Sequence, residues 1–373
     1  MRGESNVVAT SPRRSLLHAT HEALGARFTE FAGWLMPVSY TGAIEEHLAV
    51  RTAAGLFDVS HMGRLEIRGR DALALIQKVT CNDAARLRDH QVQYSALTTE
   101  RGTFVDDLTV YRFREDYFLL CVNAANREKD FRWILQHRTD EDAEVYDVSE
   151  HLAQLALQGP AASEILQHLT EIQLDHIRPY WFEQGEVAGV SVFISRTGYT
   201  GEDGFELYIP AESVEWVWNR VLDVGHRAGL KPCGLAARNT LRLEARMLLY
   251  GHDMDETTTV WEADLGWIVK LEKGEFIGRA ALRRQKEEGV RRKLIGFEVH
   301  DRAPARDGYP VLIRGEVVGR VTSGSYAPFL RKNIGLTYLP IEYAEIGTRF
   351  HIRVRDRDVE AEVVPTPFYK RPR

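Results

Sequence analysis

The chain has 373 residues, room for two or three domains of roughly 150 residues each. With 44% hydrophobic and 27% charged residues it falls in the globular range, which excludes disordered and fibrous classes. A net charge of −6, from 48 Lys and Arg against 54 Asp and Glu, argues against a general phosphate-binding surface and so against nucleic acid as a partner, while leaving room for a local basic pocket.

Met1–Ser15 carries Arg2, Arg13 and Arg14 but no apolar core, so it reads as a frayed tail and not as a secretory signal. No run approaches the roughly 18 apolar residues of a membrane helix, and no membrane partner is expected. Ala43–Ala54 is predicted as a helix stopped at Gly55, followed by an alternating run over Leu56–Arg68. Asp71–Val79 is predicted helical, with Leu73, Leu75 and Ile76 on one side. Gln91–Thr98, Phe104–Arg112 and Tyr117–Val122 then read as strands in hairpin order, and Arg127–Gln136 as a helix. A second mixed stretch places strands near Val145 and Leu155 and at Val190–Arg196 and Phe205–Ile209. Its helices fall after Gly159-Pro160, at Ala211–Arg227 and at Leu235–Leu249. Beyond Asp253–Glu256 and a helix at Gly278–Glu288 the pattern is nearly all β, which predicts a terminal barrel or sandwich. The fold class expected is multidomain α+β. The units expected are 1–55 with 140–252, then 56–139, then a β-rich 253–373.

Cys81, Cys121 and Cys233 are far apart and odd in number, which excludes a disulfide framework and fits a reducing compartment, expected to be a bacterial-type cytoplasm, with the mitochondrial matrix as the alternative. No metal-binding, Walker or dinucleotide motif occurs, so no metal is predicted.

Three features carry chemistry. Alternation along Phe104–Arg112 puts Asp106 on one face with Phe104, Leu108 and Val110, and Asp107 on the other with Val105, Thr109 and Tyr111. A carboxylate among apolar neighbours must be partnered, have a raised pKa or line a ligand cavity. The two adjacent aspartates cannot share one cavity from a regular strand. Second, Thr197–Gly204 holds Gly198, Gly201 and Gly204 and leads into a strand bearing Glu206. That carboxylate is either an exposed side chain or a partner for an amidine-like heterocycle edge. Third, Arg238, Arg242 and Arg246 recur every four residues on one predicted helix, as a solvated row or, in one member, as a ligand anchor. Trp34, Tyr94, Tyr199 and Trp267 offer stacking surfaces or are simply core and rim.

Ordered motifs extend this reading: Gly33-Trp34-Leu35-Met36-Pro37, Ala49 to Met62, Gly102 to Leu108, Asn126-Arg127-Glu128-Lys129-Asp130, Leu157-Gln158-Gly159-Pro160, Thr197–Gly204 and Cys233 to Arg238. Phe276-Ile277-Gly278-Arg279, Asn333-Ile334-Gly335-Leu336 and Pro367 to Arg371 continue them. On these stretches, roughly Leu16 to Arg371, the chain resembles the aminomethyltransferase, or T-protein, family of the glycine cleavage system. The resemblance implies two antiparallel-sheet α+β lobes and a C-terminal β-barrel lobe around a central tetrahydrofolate site. It implies transfer of a one-carbon unit from an aminomethyl group on the lipoyl arm of the H-protein to tetrahydrofolate, with release of ammonia and no metal. By that resemblance Asp106 is the catalytic aspartate, and Glu206 and Arg238 recognise the pterin edge. Tyr94, Asn123 and Tyr199 line the folate pocket, Met62 and Trp267 fall near it, and Arg371, beside Lys370, meets the glutamate tail. The chain departs from the family at Asn239, where Asp is usual, at Arg246, where Gly is usual, and at Val260-Trp261. Rival functions on the same scaffold are a folate-dependent demethylase with another one-carbon donor, a non-catalytic folate-binding accessory protein, and a paralogue that keeps the fold without activity.

Overall fold

The fold, taken from a computed structural model, is described for residues 11–372. It opens with strand β1 (Arg13–Arg14), helix α1 (His18–Ala23), and strands β2 (Arg27–Phe31) and β3 (Trp34–Ser39). β1 runs parallel to β3, so Arg13 and Arg14 are paired and not frayed, and Ser15 is buried; residues 1–10 of the expected tail lie outside the described residues.

Helix α2 (Ala43–Thr52) leads into β4 (Ala54–Asp58) and β5 (Gly63–Arg68). Then come α3 (Ala72–Val79), the hairpin strands β6 (Gln91–Thr98), β7 (Phe104–Arg114) and β8 (Tyr117–Val122), α4 (Arg127–His137) and β9 (Glu144–Asp147). The next segment holds β10 (Leu152–Gln158), α5 (Ala162–Gln167), β11 (Phe182–Val187), β12 (Val190–Ser195), β13 (Gly204–Pro210), α6 (Val214–Gly225), β14 (Leu230–Pro232) and α7 (Leu235–Glu244). After α8 (Arg279–Glu288) follow β15 (Arg292–Val299), β16 (Pro310–Ile313), β17 (Glu316–Ala327), β18 (Lys332–Pro340), β19 (Arg349–Val354) and β20 (Arg357–Val364).

These strands make a five-stranded antiparallel sheet, β6-β7-β8-β5-β9, and a six-stranded sheet, β11-β12-β13-β10-β4-β14, whose β4–β14 pair is parallel. The last six strands close into a barrel ordered β15-β18-β17-β16-β19-β20. The expected single run Leu56–Arg68 is divided between the two sheets, because Asp58 forces a turn. Its carboxylate accepts from Ser15 Oγ at 2.6 Å and from the Ser60 N–H at 2.9 Å, with His21 Nε2 at 3.0 Å.

One face of the five-stranded sheet packs Leu65, Leu108, Val110 and Leu120 beneath α3 and α4. The far face of the six-stranded sheet packs Leu155, Leu157 and Leu207 against α5 and α6. The remaining two faces meet through Tyr111, Phe113, Phe182, Phe193 and Tyr208. Tyr208 Oη donates to Tyr111 Oη across this seam at 2.8 Å, and backbone bonds from Val92 to Tyr180 and from Phe182 to His90 sew the sheet edges together. The layers therefore run helix, sheet, sheet, helix, with the barrel beside them. No helix among the described residues is long and apolar enough to cross a membrane.

The predicted helix Leu235–Leu249 ends early, at Glu244. Arg246 adopts φ +55°, its N–H bonds to the Leu243 carbonyl at 3.0 Å, and the Met247 N–H bonds to the Arg242 carbonyl at 2.8 Å. That pair of bonds around a left-handed residue is the usual helix stop, with Arg where Gly is normally favoured.

Candidate functional site

The two faces of β7 have different surroundings. Asp106 points with Leu108 and Val110 into the core under α4 and is 0% exposed. It accepts hydrogen bonds from the Asn123 N–H at 3.0 Å, Asn123 Nδ2 at 2.9 Å and Asn126 Nδ2 at 2.6 Å. Of the outcomes the sequence left open, it is thus the partnered one, held by neutral amides in the core. Burial raises its pKa while these bonds and Asp130 pull it back.

Asp107 points the other way, toward the seam between the sheets, and is half-buried. Tyr94, on the neighbouring strand, donates from Oη to Asp107 Oδ2 at 2.9 Å, and Asn123 Nδ2 donates to Oδ1 at 2.8 Å. Burial first, and then the charge of Asp106, raise the Asp107 carboxyl to about 7. The two aspartates do face opposite sides of the strand, as alternation requires. They are nonetheless joined, because one Asn123 amide serves both.

Glu206 on β13 faces the same seam and is half-buried, not exposed. Gln154 Nε2 donates to its Oε1 at 2.9 Å and Thr197 Oγ1 to its Oε2 at 2.6 Å. Each oxygen keeps lone pairs for a ligand, while its orientation is fixed. Arg238, on the first turn of α7, lies over the Tyr199 ring at 4.6 Å; the hydroxyl of Tyr199 is tied to the Leu248 carbonyl. Burial lowers the Arg238 pKa, opposed by the nearby Tyr199 and Glu206. Among the described residues no salt bridge holds this guanidinium. Met62, on the crossover between β4 and β5, packs at the edge of the aromatic seam. Trp267 is 60% exposed and stacks on Tyr94 with centroids 5.9 Å apart.

Tyr94, Asp107, Asn123, Tyr199, Glu206, Arg238, Met62 and Trp267 thus gather around the seam. Arg371 is not tied to this group: its Nη1 lies 3.1 Å from Asp203, which also holds Arg196. The three-arginine row is not a solvated face either. Arg242 is 1% exposed and donates to Asp253, Ser323 and Asn239, the last at 2.9 Å. With Asp253 already supplying a carboxylate, an amide at 239 suffices. The sequence reading gave no site role to Asp107, Gln154, Thr197 or Asn126. Asn126 opens a motif that could have flagged it, whereas Gln154 carries no local signal. Among the described residues no group of three metal-ligating side chains comes together. A cleft of about 220 Å³ lies apart from the seam, between His252–Thr258 and the barrel, lined in part by Arg291, Arg320 and Tyr338.

Comparison with known proteins agrees with this architecture. Residues 17–273 match the GCVT N-terminal domain family, and residues 292–370 the glycine cleavage T-protein C-terminal barrel domain. An aminomethyltransferase of Desulfitobacterium hafniense (strain Y51) is 51% identical over 362 residues, spanning 97% of this chain and 99% of the relative. One from Symbiobacterium thermophilum is 51% identical over 369 residues, 97% and 98% of the two chains. The crystal structure of glycine cleavage system aminomethyltransferase T from Bartonella henselae superposes with a TM-score of 0.91 at 33% identity, covering 96% of this chain and 99% of that one. Two sheets meeting over a polar seam, a closed terminal barrel and near-full-length identity at this level place the chain in the glycine cleavage T-protein family of aminomethyltransferases.

Proposed function

We propose that this aminomethyltransferase binds tetrahydrofolate in the seam and takes its one-carbon unit from the aminomethylated lipoyl arm of the H-protein, and that Asp107 is the carboxylate that meets the reacting atoms. The residues fit a reduced pterin. Glu206, with both oxygens pre-oriented, can accept a pair of N–H bonds from a heterocycle edge, and Arg238 can pair with a carbonyl beside it. Tyr94 and Trp267 provide a stacking wall. Bound there, tetrahydrofolate supplies the nucleophilic nitrogen.

The chain's own work is to position and to manage a proton. The Asp107 carboxylate, steered by Tyr94 and Asn123, is placed to accept a hydrogen bond from an N–H at the reacting centre. A carboxyl raised to about 7 takes up and releases a proton near neutrality, the condition for passing one toward departing ammonia. Asp106, the residue matched to the family's aspartate by sequence, is saturated by amide donors and acts through Asn123. The observation that carries this assignment is the opposite orientation of the two side chains on β7.

The test is Asp107→Asn. Ammonia release from aminomethylated H-protein should fall by about 10²–10⁴-fold while tetrahydrofolate affinity is largely kept. Full turnover in that variant would remove Asp107 from the chemistry. Absence of ammonia release by the unmodified protein would instead point to a different one-carbon donor.

A further inference from the structure

Asp130, on α4, is 0% exposed, and neither of its carboxyl oxygens meets a hydrogen-bond donor among the described residues. A buried carboxylate to which no protein group donates is strongly disfavoured. Asp130 lies one helical turn beyond Asn126, on the face of α4 from which Asn126 Nδ2 reaches Asp106, and so faces Asp106, whose oxygens take the three amide donors from Asn123 and Asn126. Two carboxyls in contact do not both ionise. The donors select Asp106 as the anion, so the proton resides on Asp130 and bridges the pair.

The other charged or titratable groups facing Asp130 leave that arrangement intact. From β7 come Asp106 and Asp107, both of which favour its neutral form. On its own helix Lys129 opposes them, but its ammonium is turned to Tyr250 Oη at 2.9 Å and Glu256 at 3.1 Å. From the segment after α7, Tyr250 faces the same carboxyls.

We infer that Asp130 is a positioning residue of the transferase: its neutral carboxyl donates to Asp106, and the anchored Asp106 anion holds the Asn123 amide that orients Asp107. The inference deepens the reading of Asp107 given above and rests on it for its kinetic consequence. Three carboxyls and one amide then form a single buried relay of hydrogen bonds, with only its outer end at the seam.

The substitutions Asp130→Asn and Asp130→Leu in the full chain test this. An amide can still donate to Asp106, whereas leucine cannot. D130L should lose about 10²-fold in kcat through misplacement of Asp107, with KM for tetrahydrofolate little changed. D130N should recover most of that loss. Infrared spectra of ¹³C-aspartate-labelled protein at neutral pH, recorded in the D107N background so that the Asp107 carboxyl does not contribute, should show a protonated-carboxyl C=O band that adding D130N removes. This readout needs neither turnover nor the leucine variant, so it decides the matter even if D130L fails to fold. No such band, a band untouched by D130N, or a D130N as impaired as D130L would overturn the inference. If D107N kept full turnover while the band behaved as expected, the proton-sharing pair would stand and the assignment of Asp107 would fall.

Discussion

The Asp107 carboxyl is raised to about 7, and the sign of its effect on stability is fixed by the cause of the shift. Burial and the Asp106 charge raise its folded value from 3.8 to about 7, so the native state holds this proton more tightly than the unfolded chain. Its contribution to stability is complete below the unfolded value and disappears as pH rises through about 7. Melting temperatures of wild type and D107N should therefore diverge between about pH 5 and about pH 8, the wild type losing ground as pH rises. A wild type that gains on the variant over that interval would contradict the assigned direction. Activity should move oppositely, rising toward neutrality as the carboxylate forms. The same residue shows where reading the sequence stops. Alternation separated Asp106 from Asp107 correctly, but β7 is covered on both sides, by helices and by a second sheet. Tyr111, on the face of Asp107, is as fully buried as Leu108's side. Period alone cannot say which covered face holds the ligand.

At the level of single elements, the end of α7 is the informative case. Arg246 occupies a left-handed helix stop, which costs a non-glycine residue about 1 kcal/mol or somewhat more. A partial return comes from its ion pair with Asp264 at 2.9 Å. With that pair removed by Asp264→Ala, adding Arg246→Gly should raise stability by about 1 kcal/mol in chemical denaturation. A loss instead would show that the arginine is held by more than the pair. The predicted extension to Leu249 failed because Met247, Leu248 and Leu249 continue an apolar helical pattern, while the stop depends on a backbone angle that arginine does not advertise. The hairpin β6–β7–β8 and the barrel strands were legible because turn residues bracket them. Strand β11 was not, since Glu183, Gln184 and Glu186 make it polar along the sheet edge.

For the molecule as a whole, on the binding site proposed above, the aromatic filling between the sheets links folding to binding. Phe193 stacks on Tyr208 at 4.1 Å with an interplanar angle of 11°, and both touch Tyr111. Phe350, packed on Phe297 inside the barrel, is a matched control remote from the seam. Truncating either phenylalanine to alanine should cost about 3–5 kcal/mol of stability. At temperatures where both variants remain folded, only Phe193→Ala should also weaken tetrahydrofolate binding; equal affinities would show that the seam tolerates collapse. The three-part architecture could be anticipated from the ordered motifs and the change to β-rich sequence. The face-to-face arrangement of the first two sheets could not, because it depends on side chains from β6, β7, β11, β12 and β13 that are far apart in sequence.

Asp107 and Glu206 stand on opposite walls, and the rings a few residues along the same strands wedge those walls apart. The molecule is in this respect a caliper: its jaws are two carboxylates and its set screw is a stack of benzene rings. On the binding mode proposed above, the rim loops could diverge widely among related chains without altering the thickness of heterocycle the seam would admit, whereas a single methylene added to or shaved from the wedge would reset it.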